Sequence, residues 1–166
     1  MPIEPFVIFA AKYLGYILLA VFVILFLKKR NLEGATALRP HGAGRNFLLI
    51  SLIAAVLSRF IFTGLIRFFY FRPRPFVEQA VAPLFEHAPT ASFPSGHAAF
   101  YFALSLGVFY YNKKIGIWFF VATLLITSAR VFAGVHYATD ILGGLAVALL
   151  SFWLVKYLAK FARLKE

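Results

Sequence analysis

Five long apolar runs leave this chain few ways to fold. They cover roughly Pro5 to Leu27, Asn46 to Phe71, Gly96 to Tyr111, Ile115 to Phe132 and Ala138 to Leu158. A helix crossing the hydrocarbon core of a bilayer needs about 20 such residues. None of the runs alternates apolar and polar residues as a barrel strand does. Lipid offers no hydrogen bonds, so backbone entering it must satisfy its own N–H and C=O groups, and that leaves helices. Hydrophobic residues make up 62% of the 166, above the share of a soluble domain. The sequence therefore predicts an all-α, polytopic transmembrane helical bundle of about five spans. It reads as a single integral-membrane domain over residues 1–166. The first run has no basic start and no small-residue cleavage pattern behind it, so it reads as a retained span rather than a signal peptide.

Charge orients the bundle. Lys and Arg total 17 against 6 Asp and Glu, a net charge of +11. In a soluble protein that balance points to nucleic acid. Here no nucleic-acid module accompanies it, and basic loops are what sets membrane orientation, so no nucleic-acid partner is expected. Alternating the loops between two sides gives one side Lys28, Lys29, Arg30, Arg39, Arg45, Lys113, Lys114, Lys156, Lys160, Arg163 and Lys165, which is 11. The other side receives Lys12, Arg67, Arg72 and Arg74, which is 4, while Arg59 and Arg130 fall inside runs. The larger group belongs in the cytoplasm. The proline-rich loop Arg72 to Pro94 and the turn after Arg130 then share the extracytoplasmic membrane interface. No cysteine is present, which excludes disulfides and thiolate metal sites.

The unusual polar residues gather on that outer face. Arg67 and Arg74 close the second run, Ser95, Gly96 and His97 open the third, Arg130 ends the fourth, and His136 and Asp140 lead into the fifth. Arginine forks bind phosphate oxygens through paired hydrogen bonds. A helix N-terminus such as Ser95-Gly96-His97 offers free N–H groups and positive dipole to an anion. Two histidines suffice for metal-free phosphoryl transfer, one attacking phosphorus and the other protonating the leaving oxygen. Asp140, the sole aspartate, stands four residues from His136, one helical turn, and can orient it. No metal and no cofactor is expected. Taken singly, each residue has a plain explanation: a wet interfacial histidine, headgroup anchors at Arg67, Arg72 and Arg74, a helix cap at Asp140. Together they would require a coincidence, and interfacial ionisable groups in membrane proteins mark function. Arg59, midway along the second run, has two readings: a brace to the outer loop through Glu78 or Glu86, or a snorkelling side chain.

Arg67-x6-Arg74-Pro75, then Pro94-Ser95-Gly96-His97, then Arg130-x5-His136-x3-Asp140 resembles the three-part signature of the type 2 phosphatidic acid phosphatase superfamily. That superfamily shares its site architecture with vanadium haloperoxidases. The motifs occupy 67–75, 94–97 and 130–140. The resemblance implies His136 as nucleophile, Asp140 as its orienting partner and His97 as general acid. Arg67, Arg74, Ser95, Gly96 and Arg130 would hold the phosphate. Two positions depart from the pattern. Arg67 stands where the family usually has lysine, and Ala129 where it usually has serine before the third-motif arginine. Ser128 lies one residue earlier, about 100° round a helix.

An outward-facing site in so apolar a chain implies a lipid phosphate as substrate, with the bilayer as the other partner. Undecaprenyl diphosphate is the favoured lipid, hydrolysed to undecaprenyl phosphate through a phosphohistidine, with the aromatic-rich loop Phe76 to Phe93 lining a prenyl groove. Phosphatidylglycerophosphate and lipid A phosphatases are the alternatives on the same chemistry. A haloperoxidase is not expected in a chain this hydrophobic. From another class, a non-catalytic lipid-phosphate binding or transport protein would keep the basic pocket. A transporter, though, calls for an internal repeat or paired broken helices, and neither is visible.

Overall fold

The computed structural model describes residues 3–32, 43–80 and 82–163. Helices α1 (Glu4–Lys12) and α2 (Leu14–Leu32) come first. After them α3 (Ala43–Val56), a π-helical segment (Leu57–Phe62) and α4 (Thr63–Phe69) form one continuous rod. A one-turn α5 (Pro75–Glu78) sits in the outer loop, followed by α6 (Gly96–Tyr111), α7 (Lys113–Phe132) and α8 (Ala138–Arg163). No strand occurs among the described residues.

The apolar runs and the helices coincide, with one correction. The first run is not a straight span: it breaks between Lys12 and Leu14, and the two halves are bent by 41°. The cause lies elsewhere in the chain. Arg130 Nη1 donates to the Ala11 carbonyl at 3.1 Å, an acceptor that a straight helix would offer to the amide four residues on. A side chain inserted into the ladder is a recognised origin of kinks. Three stretches, Phe47–Phe69, Lys113–Phe132 and Ala138–Phe161, are long and apolar enough to cross a membrane, and the bent pair makes a fourth. The third run, α6, has 16 residues, about 24 Å of helix, short of a bilayer core of about 30 Å, so the expected five spans are not all of spanning length.

Helix α6 lies at the centre instead, packed against α3, α7 and α8. Ala98, Ala99, Ala103, Leu104 and Val108 on it have no exposed surface. Small residues let the rods approach: a Cβ on Gly107 would strike Ser51, and one on Gly144 would strike Ala98 and the Ser95 carbonyl. Small residues at contacts are the membrane solution to packing, since lipid gives no hydrophobic drive between helices. Buried hydroxyls add cross-links, Ser51 to the carbonyls of Ala103 and Leu104, Ser58 to that of Ala99, and Ser105 with Thr123, all at 3.0 Å.

The two ends of the bundle differ in kind. At one end Lys156 lies over the rings of Tyr110 and Trp153, at 4.2 and 4.3 Å, with Phe47 stacked on Tyr110. At the other end α4 finishes, α6 begins, α7 finishes and α8 begins, and the three motifs meet there. The outer loop closes over that end. Phe76, Leu84 and Phe85 pack on a second core cluster of Val7, Ala10, Ala11, Ala129, Ala133 and Val135. Phe93 covers Gly143 and meets Tyr70 edge-on. These loop aromatics hold the loop to the bundle.

Candidate active site

The turn between α7 and α8 brings the third motif together. Gly134 has φ +74°, a left-handed conformation that glycine adopts without steric penalty. Its N–H reaches the Val131 carbonyl at 2.9 Å and the Val135 N–H reaches that of Arg130 at 3.2 Å, the two bonds of a Schellman close. The chain reverses within five residues, so Arg130 and His136 stand at the same end of the bundle. Asp140 is the third residue of α8. Its carboxylate reaches back to the Tyr137 N–H at 2.8 Å, as the N3 acid of a capping box does. The capping explanation therefore holds, and it leaves the carboxylate able to orient His136 as well.

Asp140 is fully buried and accepts four side-chain and backbone donors. Besides Tyr137, these are the Ser92 hydroxyl, His136 Nδ1 at 3.2 Å and Arg72 Nη1 at 3.2 Å. A carboxylate so supplied is ionised and can only accept, so the proton of His136 sits on Nδ1. Nε2 then carries a lone pair, and Arg74 Nη1 donates to it at 3.3 Å. Burial first, then the charges of Arg130 and Arg74, hold the His136 imidazole down to about 4 against the pull of Asp140. At pH 7 it is neutral, with its free nitrogen turned to the arginines.

The arginines divide into two kinds. Arg74 has all five N–H groups directed at protein acceptors: the Thr90 carbonyl and hydroxyl, the carbonyls of Ala91 and Val135, and His136 Nε2. It was expected to hold phosphate; in this structure its donors pin the outer loop to the third motif. Burial, and next the neighbouring Arg67, lower it to about 10. Arg67 and Arg130 are different. Arg67 donates to the Pro94 carbonyl at 2.9 Å and Arg130 to Ala11 and to His87, yet the Nε of each is buried without a partner. A buried charged donor left unpaired costs about 1–3 kcal/mol or more, and an anion between the two satisfies both. Ser95 caps α6, accepting from Ala98 N–H at 3.4 Å, and its own N–H ties to the Asp140 carbonyl at 2.9 Å. Gly96 and His97 follow in the first turn, with the His97 ring 6.2 Å from that of Tyr101.

With these positions in place, comparison with known proteins becomes decisive. The PAP2 superfamily pattern matches residues 48–163, a stretch containing all three motifs. The chain belongs to the PAP2 superfamily. The undecaprenyl-diphosphatase BcrC of Bacillus subtilis is 39% identical over 94 residues, 57% of this chain and 49% of that protein. The chain thus spans about half the length of that relative. The bacitracin transport permease protein BcrC of Bacillus licheniformis is 27% identical over 156 residues, 91% of this chain and 71% of that protein. The solved transmembrane PAP2-type phosphatidylglycerolphosphate phosphatase from Bacillus subtilis shares the fold, with a TM-score of 0.54 at 23% identity. That match covers 95% of this chain and 84% of the other.

Within this PAP2 frame the departure at Ala129 acquires a structural account. Ala129 is buried against the second core cluster, where Val7, Ala10 and Ala11 pack. Ser128 is exposed and lines a cleft of Leu124, Val131, Ile141 and Leu142 between α7 and α8. The hydroxyl one residue earlier therefore points away from the arginines and does not substitute.

Three residues at the site escaped the reading of the sequence. Ser92 and Arg72 hold Asp140, Arg72 also bonding Thr139 at 2.7 Å and lying 4.0 Å over the Tyr137 ring. His87, from the outer loop, takes a hydrogen bond from Arg130 Nη2 at 2.9 Å, and its ring centre is 6.4 Å from that of His136. Burial holds it down to about 4, so it is neutral. The available signal was its position in a loop sharing a face with the motifs. Glu78 hydrogen-bonds the Tyr137 hydroxyl, so it is no brace for Arg59. Arg59 instead lays its guanidinium against Gly96. No group of three or more His, Cys, Asp or Glu arranged to hold a metal occurs among the described residues.

Proposed function

We propose that this protein is a membrane phosphatase that removes the terminal phosphate of a lipid diphosphate, with undecaprenyl diphosphate as the substrate, at the extracytoplasmic face and without a metal. The observation that carries the reading is His136: Nδ1 is fixed on a buried carboxylate, and Nε2 is unprotonated beside Arg74, at the end of the bundle where the buried Nε donors of Arg67 and Arg130 lack partners. The names of the relatives favour lipid phosphates. The terminal phosphoryl group and the departing lipid phosphate are both anions, which suits a site of this charge.

In the proposed reaction the terminal phosphoryl group lies between Arg67 and Arg130, under the field of Arg74. Its phosphorus replaces the long Arg74 hydrogen bond at His136 Nε2. The N–P bond forms as the P–O bond to the lipid phosphate breaks, and His97, protonated once the anionic substrate lies beside it, gives its proton to the departing oxygen. Water, deprotonated by His97, then attacks phosphorus. The N–P bond breaks, inorganic phosphate leaves and both histidines return to their starting forms. The positive charges are aimed where negative charge grows.

Protein purified in detergent, given a prenyl diphosphate and excess EDTA, is expected to release inorganic phosphate at an undiminished rate. Loss restored by magnesium or zinc would reverse the metal-free claim. Turnover of phosphatidylglycerophosphate or lipid A in preference to the diphosphate would select those alternatives. Binding with no phosphate release from any of the three lipids would make the chain a lipid-phosphate binder or transporter.

The side of the membrane is tested separately. Ala88→Cys, in the exposed outer loop, is expected to react with an impermeant thiol reagent added to intact cells or spheroplasts. Ala35→Cys, in the basic loop, is expected to react only after the membrane is opened. The native chain has no cysteine, so background labelling is absent. The reverse order of labelling would put the site in the cytoplasm and remove an outer-leaflet carrier as substrate.

A further inference from the structure

Arg59 is the one arginine of this end that the three motifs do not include. It lies eight residues before Arg67, and in an unbroken α-helix eight residues overshoot two turns by about 80°. Arg59 lies inside the π-helical segment Leu57–Phe62, whose wider turn takes up much of that overshoot. The Ser58 carbonyl makes that segment, accepting both the Thr63 N–H and its hydroxyl, the latter at 2.7 Å. Such segments concentrate at functional sites, and this one turns Arg59 onto the face that carries Arg67.

What Arg59 meets there is the second motif. A Cβ on Gly96 would collide with its Nη1, Cζ and Cδ atoms, so glycine at this position is what admits the guanidinium. His97 is the next residue. Among the described residues no protein acceptor hydrogen-bonds to the Arg59 guanidinium; its recorded neighbour is the Phe60 ring at 5.6 Å. Its charge is also felt at Arg74. Arg59 therefore extends the arginine cluster and has donors free for a ligand.

The position along the helix says which part of a ligand. Along the rod the Arg59 backbone lies about 12 Å to the bilayer side of Arg67, from eight residues at 1.5 Å each; its guanidinium reaches up to Gly96, the first residue of α6, whereas Arg67 bonds the Pro94 carbonyl just before that helix. In a lipid diphosphate the proximal phosphate lies between the terminal phosphate and the tail, on the bilayer side. It is also the leaving group, which the proposed reaction places beside His97.

We infer that Arg59 binds the proximal, lipid-side phosphate of a diphosphate substrate and so makes the site selective for diphosphates over monophosphates. The inference rests on the lipid-phosphatase reading above and names what distinguishes its substrate. A guanidinium there stabilises the charge that develops on the departing phosphate. A monophosphate ester presents an alkyl carbon at that place and has nothing for Arg59 to hold.

The test compares farnesyl diphosphate with farnesyl monophosphate, which share a tail, as substrates of the purified wild type, Arg59→Gln and Arg59→Lys. Wild type is expected to prefer the diphosphate in kcat/KM. Arg59→Gln is expected to lower that preference by about 100-fold, the scale of removing one aimed donor. Arg59→Lys, which keeps the charge without the fork, should fall between. An equal loss on both substrates would overturn the inference and make Arg59 a prop for Gly96. If Arg59→Gln does not survive extraction, Arg59→Lys decides: an unchanged preference, or equal losses, overturns it. A wild type with no preference for the diphosphate fails the substrate assignment itself, before any variant is considered.

Discussion

His136→Ala is expected to abolish phosphate release, with a loss of about 10,000-fold or more, while the protein remains folded in detergent. Covalent catalysis has no substitute for its nucleophile, and groups that act as a unit lose nearly everything with one member. The fold has reason to survive. Asp140 keeps Ser92, the Tyr137 N–H and Arg72, and Arg74 keeps its four bonds to Thr90, Ala91 and Val135. The measurement is single-turnover phosphate release, with trapping of acid-labile, base-stable phosphate on the protein. Wild type should carry that label, and the variant should carry none. A variant that still turns over within tenfold of wild type would remove His136 from the chemistry and leave His97 or His87 to supply the nucleophile.

How far the site could be read from residues alone depends on the range of the interaction that builds each part. Helix α6 was legible at both ends, because Pro94-Ser95-Gly96 and Asn112 are local signals; Ser95 and Asn112 do cap α6 and α7. The third motif was legible because one glycine turn fixes the distance from Arg130 to His136. The kink at Tyr13 was not, since it arises from a bond between Arg130 and Ala11, 119 residues apart. The same limit hid the role of Arg74. Residue type says that arginine binds phosphate; only the packed loop shows its five donors already engaged. Arg59 was visible as an arginine in an apolar run, but its direction depends on a π turn made by Ser58 and Thr63. Periodicity at 3.6 residues points it elsewhere. His87 carried no motif and reached the site because Phe85 anchors its loop on the bundle.

Asp140→Asn is expected to lower kcat by about 1,000- to 10,000-fold with a smaller change in KM, the scale seen when the carboxylate of a His–Asp pair becomes an amide. The carboxylate has no exposed surface and every group around it donates: the Ser92 hydroxyl, the Tyr137 N–H, His136 Nδ1 and Arg72 Nη1. Asparagine accepts through one oxygen only and must present its NH2 either to Arg72 Nη1 or to the other three donors, which share one carboxylate oxygen. Arg72 can turn outward, since its side chain is 28% exposed. The histidine cannot. If the amide oxygen keeps the Tyr137 N–H, as the start of α8 requires, the NH2 faces Arg72 and the loss is mainly charge on His136. If the NH2 faces His136, Nδ1 becomes the acceptor, the proton moves to Nε2, and the attacking lone pair is gone. Both arrangements slow the chemical step, but only the second changes the tautomer. Nitrogen chemical shifts of the labelled imidazole separate them, and wild type should show Nδ1 protonated and Nε2 bare. Removing Ser92 is the matched comparison: Ser92→Ala takes one donor from Asp140 and leaves its charge, so it should cost about tenfold or less and keep the wild-type tautomer. A large loss in Ser92→Ala with a small one in Asp140→Asn would reverse their order. The carboxylate would then serve the outer loop rather than the histidine.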